Sequence, residues 1–72
     1  MKDILTLTDP VRISFIEALL KEAGIAYAIR DGYMADLLGM QNGLFPRRLA
    51  VDEEDARQAE RILRGADQWY DD

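Results

Sequence analysis

Leu49-Ala50-Val51-Asp52-Glu53-Glu54-Asp55 restates what Leu5-Thr6-Leu7-Thr8-Asp9-Pro10 says near the start of the chain. In each stretch a short apolar strand runs into an acidic helix start. Setting Asp9 on Asp52 brings Ile13 onto Ala56, Ile16 onto Ala59 and Glu17 onto Glu60. It also brings Leu19 onto Ile62, Leu20 onto Leu63 and Lys21 onto Arg64. Two strand–helix units with one apolar phase constrain the fold strongly, because each buries a matching stripe at helical spacing. They specify no reaction.

Working outward from these units, the first strand covers about Ile4 to Leu7. Thr8 or Asp9 can accept from the orphan N–H groups of a helix start. Pro10 suits the first helical position, where its missing N–H costs nothing. Ile13, Ile16, Leu19, Leu20 and Ala23 form the helix stripe, and Gly24 stops it, since glycine readily takes a left-handed cap. Ile25-Ala26-Tyr27-Ala28-Ile29 alternates as a second strand. A long connection follows over 31–46, with Gly32, Gly39, Asn42-Gly43 and Pro46 as loop punctuation and a short helical turn expected at 35–38. Arg47-Arg48-Leu49-Ala50-Val51 is the third strand. Asp52 is expected to cap the second helix, with Asp55 completing a shortened capping box. Glu53–Arg57 and Glu60–Arg64 are spaced as i,i+4 pairs. Ala56, Ala59, Ile62 and Leu63 face inward, and Gly65 is expected to end the helix. Residues 1–66 read as one domain. Residues 67–72 form an acidic aromatic C-terminal tail, either a short fourth strand or a loose end.

The 72 residues include neither cysteine nor histidine. A chain this short buries only about 60% of its unfolded surface. Disulfides and thiolate metal sites are excluded, and the usual general base is missing. Self-association or unusually good packing is left to stabilise it. The net charge of −5 is carried by residues 52–72, whereas residues 1–51 balance six acids against six bases. An acidic surface repels phosphate backbones, so nucleic acid is not an expected partner. No apolar run approaches the roughly 18 residues of a membrane span. The start of the chain resembles neither a signal nor a transit peptide, and the expected location is the cytoplasm.

The order strand–helix–strand–strand–helix admits a right-handed crossover from the first strand to the second, with the third inserted antiparallel between them. This is the ferredoxin-like, split βαβ arrangement of the α+β class, with both helices on one sheet face. Leu5, Leu7, Ile25, Tyr27, Ile29, Leu49 and Val51 would face the helices. Ile4, Thr6, Ala26, Ala28, Arg48 and Ala50 would line the open face, which is more apolar than a water-facing sheet normally is. Either the 31–46 connection or a second copy of the chain would cover it.

Leu7-Thr8-Asp9-Pro10-Val11, Leu19-Leu20-Lys21-Glu22-Ala23-Gly24-Ile25 and Phe45-Pro46-Arg47-Arg48-Leu49-Ala50-Val51-Asp52 resemble a bacterial family of small domains of unknown function. That family is described as "putative prokaryotic signal-transducing protein", and the resemblance spans about residues 3–64. It implies a ferredoxin-like fold distantly similar to PII-type nitrogen regulators, and a sensing or regulatory role. The long nucleotide-binding loop of PII proteins has no match here, and Gly32, Gly39 and Gly43 make no phosphate-cradling pattern. ATP and 2-oxoglutarate are therefore not carried over, and no cofactor is expected.

The candidate ligand- or partner-binding residues are Arg47, Arg48, Tyr33, Met34 and Asp36. Adjacent strand residues point to opposite faces, so Arg48 emerges on the open one. There it could grip a carboxylate or phosphate through a two-pronged hydrogen bond, or simply pair on the surface and guard an edge. Tyr33, Met34 and Asp36 could line a pocket against the sheet, or their neighbours could merely close its second face. Asp52 to Asp55 are four carboxylates without the spacing of a calcium loop, so capping explains them and no metal site is expected. Trp69 and Tyr70 either pin the tail or serve as a partner-binding peptide. Ser14, the only serine, has no candidate base nearby, and no catalytic residue is expected. The expected function is a non-enzymatic regulatory or protein-interaction domain that self-associates or meets a protein partner. The alternative is a sensor holding a small anionic metabolite between Arg48 and the 31–46 connection. Aromatic bases would want aromatic side chains on the sheet, and alanines stand there instead.

Overall fold

The computed structural model describes residues 1–30 and 46–72. Within them run β1 (Lys2–Leu7), α1 (Pro10–Glu22), β2 (Tyr27–Arg30), β3 (Arg47–Val51), a 3-10 turn (Glu53–Asp55) and α2 (Ala56–Gly65). The expected turn at 35–38 lies outside the described residues. The strands make one antiparallel sheet in the order β1-β3-β2. The class is α+β, with the third strand inserted between the first two. Among the described residues no helix is long and apolar enough to cross a membrane.

β3 is the middle of the molecule because its residues Leu49, Ala50 and Val51 are fully buried. Leu5 and Leu49 stand opposite each other, as do Tyr27 with Val51 and Ile29 with Leu49, so they share a face. That face meets Ile13, Ile16 and Leu20 of α1 and Ala59 and Leu63 of α2 in one core cluster. The repeated stripes therefore close on the same side of the sheet. Ala23, assigned to the stripe of α1, is instead exposed.

The open face differs from its expected composition. The β1–β3 register slips between Asp3 and Leu5. Such a bulge resets the in–out alternation of a strand. Asp3 consequently stands opposite Ala50, while Ile4 is half-buried against the core. Ala26 precedes β2 and is exposed. The open face thus shows Asp3, Thr6, Ala28, Arg30, Arg48 and Ala50 in register. Arg30 and Asp3 form an ion pair that spans the middle strand. Only a side chain as short as that of Ala50 leaves room for a bridge between the two outer strands. Both partners are about half exposed, so the pair is worth at most about 1 kcal/mol.

The helix ends explain the strand boundaries. Asp9 caps α1 by accepting from Val11 N–H at 2.9 Å, and Pro10 opens the helix. At the other end Gly24 takes φ +74°. Gly24 N–H donates to the Lys21 carbonyl at 3.1 Å and Ile25 N–H to the Leu20 carbonyl at 3.0 Å. This is a Schellman motif with its apolar contact, both Ile25 and Leu20 being buried. Ile25 is held by the cap, so β2 begins at Tyr27 rather than at 25.

The second unit departs from its expected caps. Asp52 makes no side-chain capping bond; its carbonyl accepts from Asp55 N–H at 2.9 Å and closes a 3-10 turn. The capping box does not form, because that N–H is already satisfied by backbone. The helix ends at Gly65 as expected, but Gly65 is not the left-handed residue. The left-handed residue is Asp67, φ +58°, with Asp67 N–H on the Arg64 carbonyl at 3.1 Å and Gln68 N–H on that of Leu63 at 2.7 Å. The Schellman motif of α1 is repeated, with Asp67 standing where the first unit has Gly24. Of the two i,i+4 pairs, Glu60–Arg64 closes at 2.7 Å.

A side chain in the left-handed region costs about 1 kcal/mol relative to glycine. Asp67→Gly is expected to raise stability by about 0.5–1 kcal/mol and the melting temperature by several degrees. Gly24→Ala is expected to lower stability by about 1–2 kcal/mol, although no atom lies within 4 Å of the added methyl position. Thermal melts of both variants check this; a lower melting temperature for Asp67→Gly would contradict it.

Candidate functional site

Arg12 is the one buried charged side chain among the described residues, at 7% exposure. It lies four residues before Ile16 and eight before Leu20, on the buried side of α1. A guanidinium in that position must be answered by hydrogen bonds, because an unpaired buried charge costs several kcal/mol (~3–5). Residues 67–72 supply them. Arg12 Nε donates to Gln68 Oε1 at 2.7 Å, and Nη1 to Asp72 Oδ1 at 3.0 Å. Nη2 donates to the Gln68 and Tyr70 carbonyls at 2.6 and 2.7 Å. The Tyr70 ring lies against the guanidinium, 3.7 Å from its carbon to the ring centroid, a cation–π contact.

The tail also seals the edge of β1. Thr6 N–H donates to Asp71 Oδ1 at 2.8 Å, and Asp72 N–H to the Thr6 carbonyl at 3.0 Å. Asp72 Oδ2 accepts from Thr8 N–H at 2.7 Å and Asp9 N–H at 3.2 Å. Residues 67–72 form no strand. Side-chain carboxylates take the place of the missing ladder, because Arg12 draws the tail toward the helix side of the edge. Trp69 packs half-buried on the core, with Arg64 5.7 Å from its ring centroid.

These contacts set the electrostatics. The Thr8 N–H, then those of Asp9 and the charge of Arg12, hold the Asp72 carboxyl below its ordinary 3.8, against the opposing effect of burial. Elsewhere, Tyr27 Oη donates to Glu17 Oε2 at 2.7 Å. That bond, then burial and the Glu17 charge, push the Tyr27 hydroxyl up to about 12. This contact ties β2 to α1 and leaves Tyr27 a poor proton donor.

Of the residues singled out from sequence, Arg48 stands exposed on the open face between Thr6 and Arg30. It lines a cleft of about 200 Å³ with Asp3, Ile4, Leu5, Thr6 and Asp71. Arg47 is half-buried and pairs with Leu7, on the opposite face. Tyr33, Met34 and Asp36 lie outside the described residues. Sequence reasoning passed over Arg12, whose signal was a charge on an apolar stripe. No group of three His, Cys, Asp or Glu among the described residues could hold a metal ion.

An antiparallel three-stranded sheet, two helices on one face and a tail latched by arginine define a small α+β domain. The chain belongs to the family described as putative prokaryotic signal transducing protein, whose model matches residues 1–67. No curated protein and no solved structure matches it. The family match ends at Asp67, where the left-handed turn hands over to the Arg12-binding tail.

Arg12→Ala is expected to destabilise the fold by about 2–4 kcal/mol. Arg12→Lys is expected to recover less than half of that, since an ammonium cannot reproduce the planar fork. Urea unfolding of both variants measures the difference, and full recovery by lysine would contradict the geometry. A carboxyl lowered in the folded state stabilises above its unfolded value and loses that contribution as pH falls through the folded value. Wild-type stability is therefore expected to fall on acidification below about pH 4. Asp72→Asn is expected to be less stable at neutral pH and to show a smaller acid decline; parallel acid titrations check this.

Proposed function

We propose that this chain is a ferredoxin-like, split βαβ regulatory domain of bacterial signal transduction. It works in the cytoplasm by meeting a second copy of itself or a protein partner, and it is not an enzyme. The observation that carries this reading is where the ionisable groups stand. Arg12, Asp72, Asp9, Glu17, Glu60 and Arg64 are each engaged in a cap, a latch or a helix pair. None is placed as a nucleophile beside a base, which acyl or phosphoryl chemistry would need. The sheet face that the helices do not cover carries both signs of charge, with Asp3 and Arg30 joined as an ion pair and Arg48 exposed beside them. A surface that carries both signs is self-complementary and suits a twofold contact between copies.

The anion-sensor reading has less support. Asp3 and Asp71 share the cleft of Arg48, and two carboxylates there oppose the attraction of one guanidinium for an anionic metabolite.

Light scattering at high micromolar concentration is expected to give a mass above that of the 8.2 kDa chain, falling as salt screens the face. Arg48→Glu is expected to weaken the association. A monomer at every concentration would remove self-association and leave only a different protein as partner. Chemical shifts moving at Arg48 with phosphate or dicarboxylates, at constant mass, would favour the sensor instead.

A further inference from the structure

We propose that residues 68–72 are exchanged between two copies of this chain, the tail of each seated on Arg12 of the other. This rests on the self-association reading above and adds to the sheet face a second contact between the copies, with a named segment and site. The cradle is built and specific. All four bonds made by Arg12 go to residues 68, 70 and 72. The N–H groups of Thr6, Thr8 and Asp9 go to the carboxylates of Asp71 and Asp72. An acidic, tyrosine-bearing extended peptide is therefore the ligand this surface recognises. A second copy is the one partner certain to carry it.

The hinge gives the direction. The tail leaves α2 through two residues, Ala66 and Asp67, the second held at φ +58° without being glycine. Short strained hinges invite exchange: an extended hinge relieves the strain and gives up the two backbone hydrogen bonds of the turn, while the contacts on Arg12 and β1 are remade in the partner. The balance is then between released hinge strain on one side and the turn's two hydrogen bonds and the entropy of association on the other, so the exchanged form gains with concentration. The arrangement is isologous: each copy gives its tail and receives one, and the chain stops at two. The tail carries carboxylates and the cradle a guanidinium, so each seated tail neutralises its host's buried cation.

Asp67→Pro tests this. Proline cannot take a positive φ and lacks the N–H that Asp67 gives to the Arg64 carbonyl, so the closed hinge is lost. The expected result is a dimer about tenfold tighter than wild type. In a sample mixing isotope-labelled and unlabelled copies, isotope-filtered nuclear Overhauser effects are expected between the Tyr70 ring of one copy and the Arg12 side chain of the other. Adding Arg12→Gln is expected to abolish those effects and the gain in affinity over wild type. A dimer without intermolecular Tyr70–Arg12 effects would overturn tail exchange while leaving association through the sheet face. A monomer with a free tail would overturn the exchange, and a wild type that is also monomeric would take the self-association reading with it. Should Asp67→Pro fail to fold, the same filtered experiment on wild type at millimolar concentration decides, and a blank spectrum overturns the proposal.

Discussion

Everything in this small domain hangs on β3. It is the one strand with a neighbour on both sides among the described residues, and its last three residues are fully buried. The backbone ladders of β1 and β2 are both made with it. The stripes of both helices then converge on the face that Leu49 and Val51 share with Leu5, Leu7, Tyr27 and Ile29. Its other face is narrowed to Ala50, and that small side chain lets Asp3 and Arg30 meet across the sheet.

The second constraint is a cation in the wrong place. Arg12 occupies a position on α1 that the helical period reserves for apolar residues. Its burial is sustained by a segment far away in sequence. One polar site thereby performs two tasks. It satisfies a buried charge, and it covers the exposed edge of β1, which would otherwise offer free N–H and C=O groups to any passing strand. The tail accomplishes both without regular structure. For that reason an acidic, aromatic end of chain that looks unstructured by composition is ordered here.

The duplication reaches further than the strands and helices. Both helices end in the same Schellman geometry, one through Gly24 and one through Asp67. The two units then part. After Gly24 the chain enters the sheet as β2, and after Asp67 it folds back on Arg12. The family match covers the repeated body and stops at this parting.

The sequence by itself determined the α+β class, the strand–helix order, the inner stripes and the first helix's caps. These are local matters, set by side-chain period, proline and glycine within a few residues. The insertion of the third strand between the first two also followed, because a right-handed crossover leaves few alternatives. Three things were decided only by tertiary structure. The bulge that turned Asp3 outward and Ile4 inward is a register choice, and register is set by two strands together. The acidic run at 52–55 became a 3-10 turn rather than a side-chain cap, since backbone geometry satisfied the N–H first. Arg12 found its partners some sixty residues away in Gln68, Tyr70 and Asp72, and no local rule pairs a charge on an apolar stripe with a distant tail. The stripe could mark Arg12 as anomalous, but only the packed molecule could say what answers it.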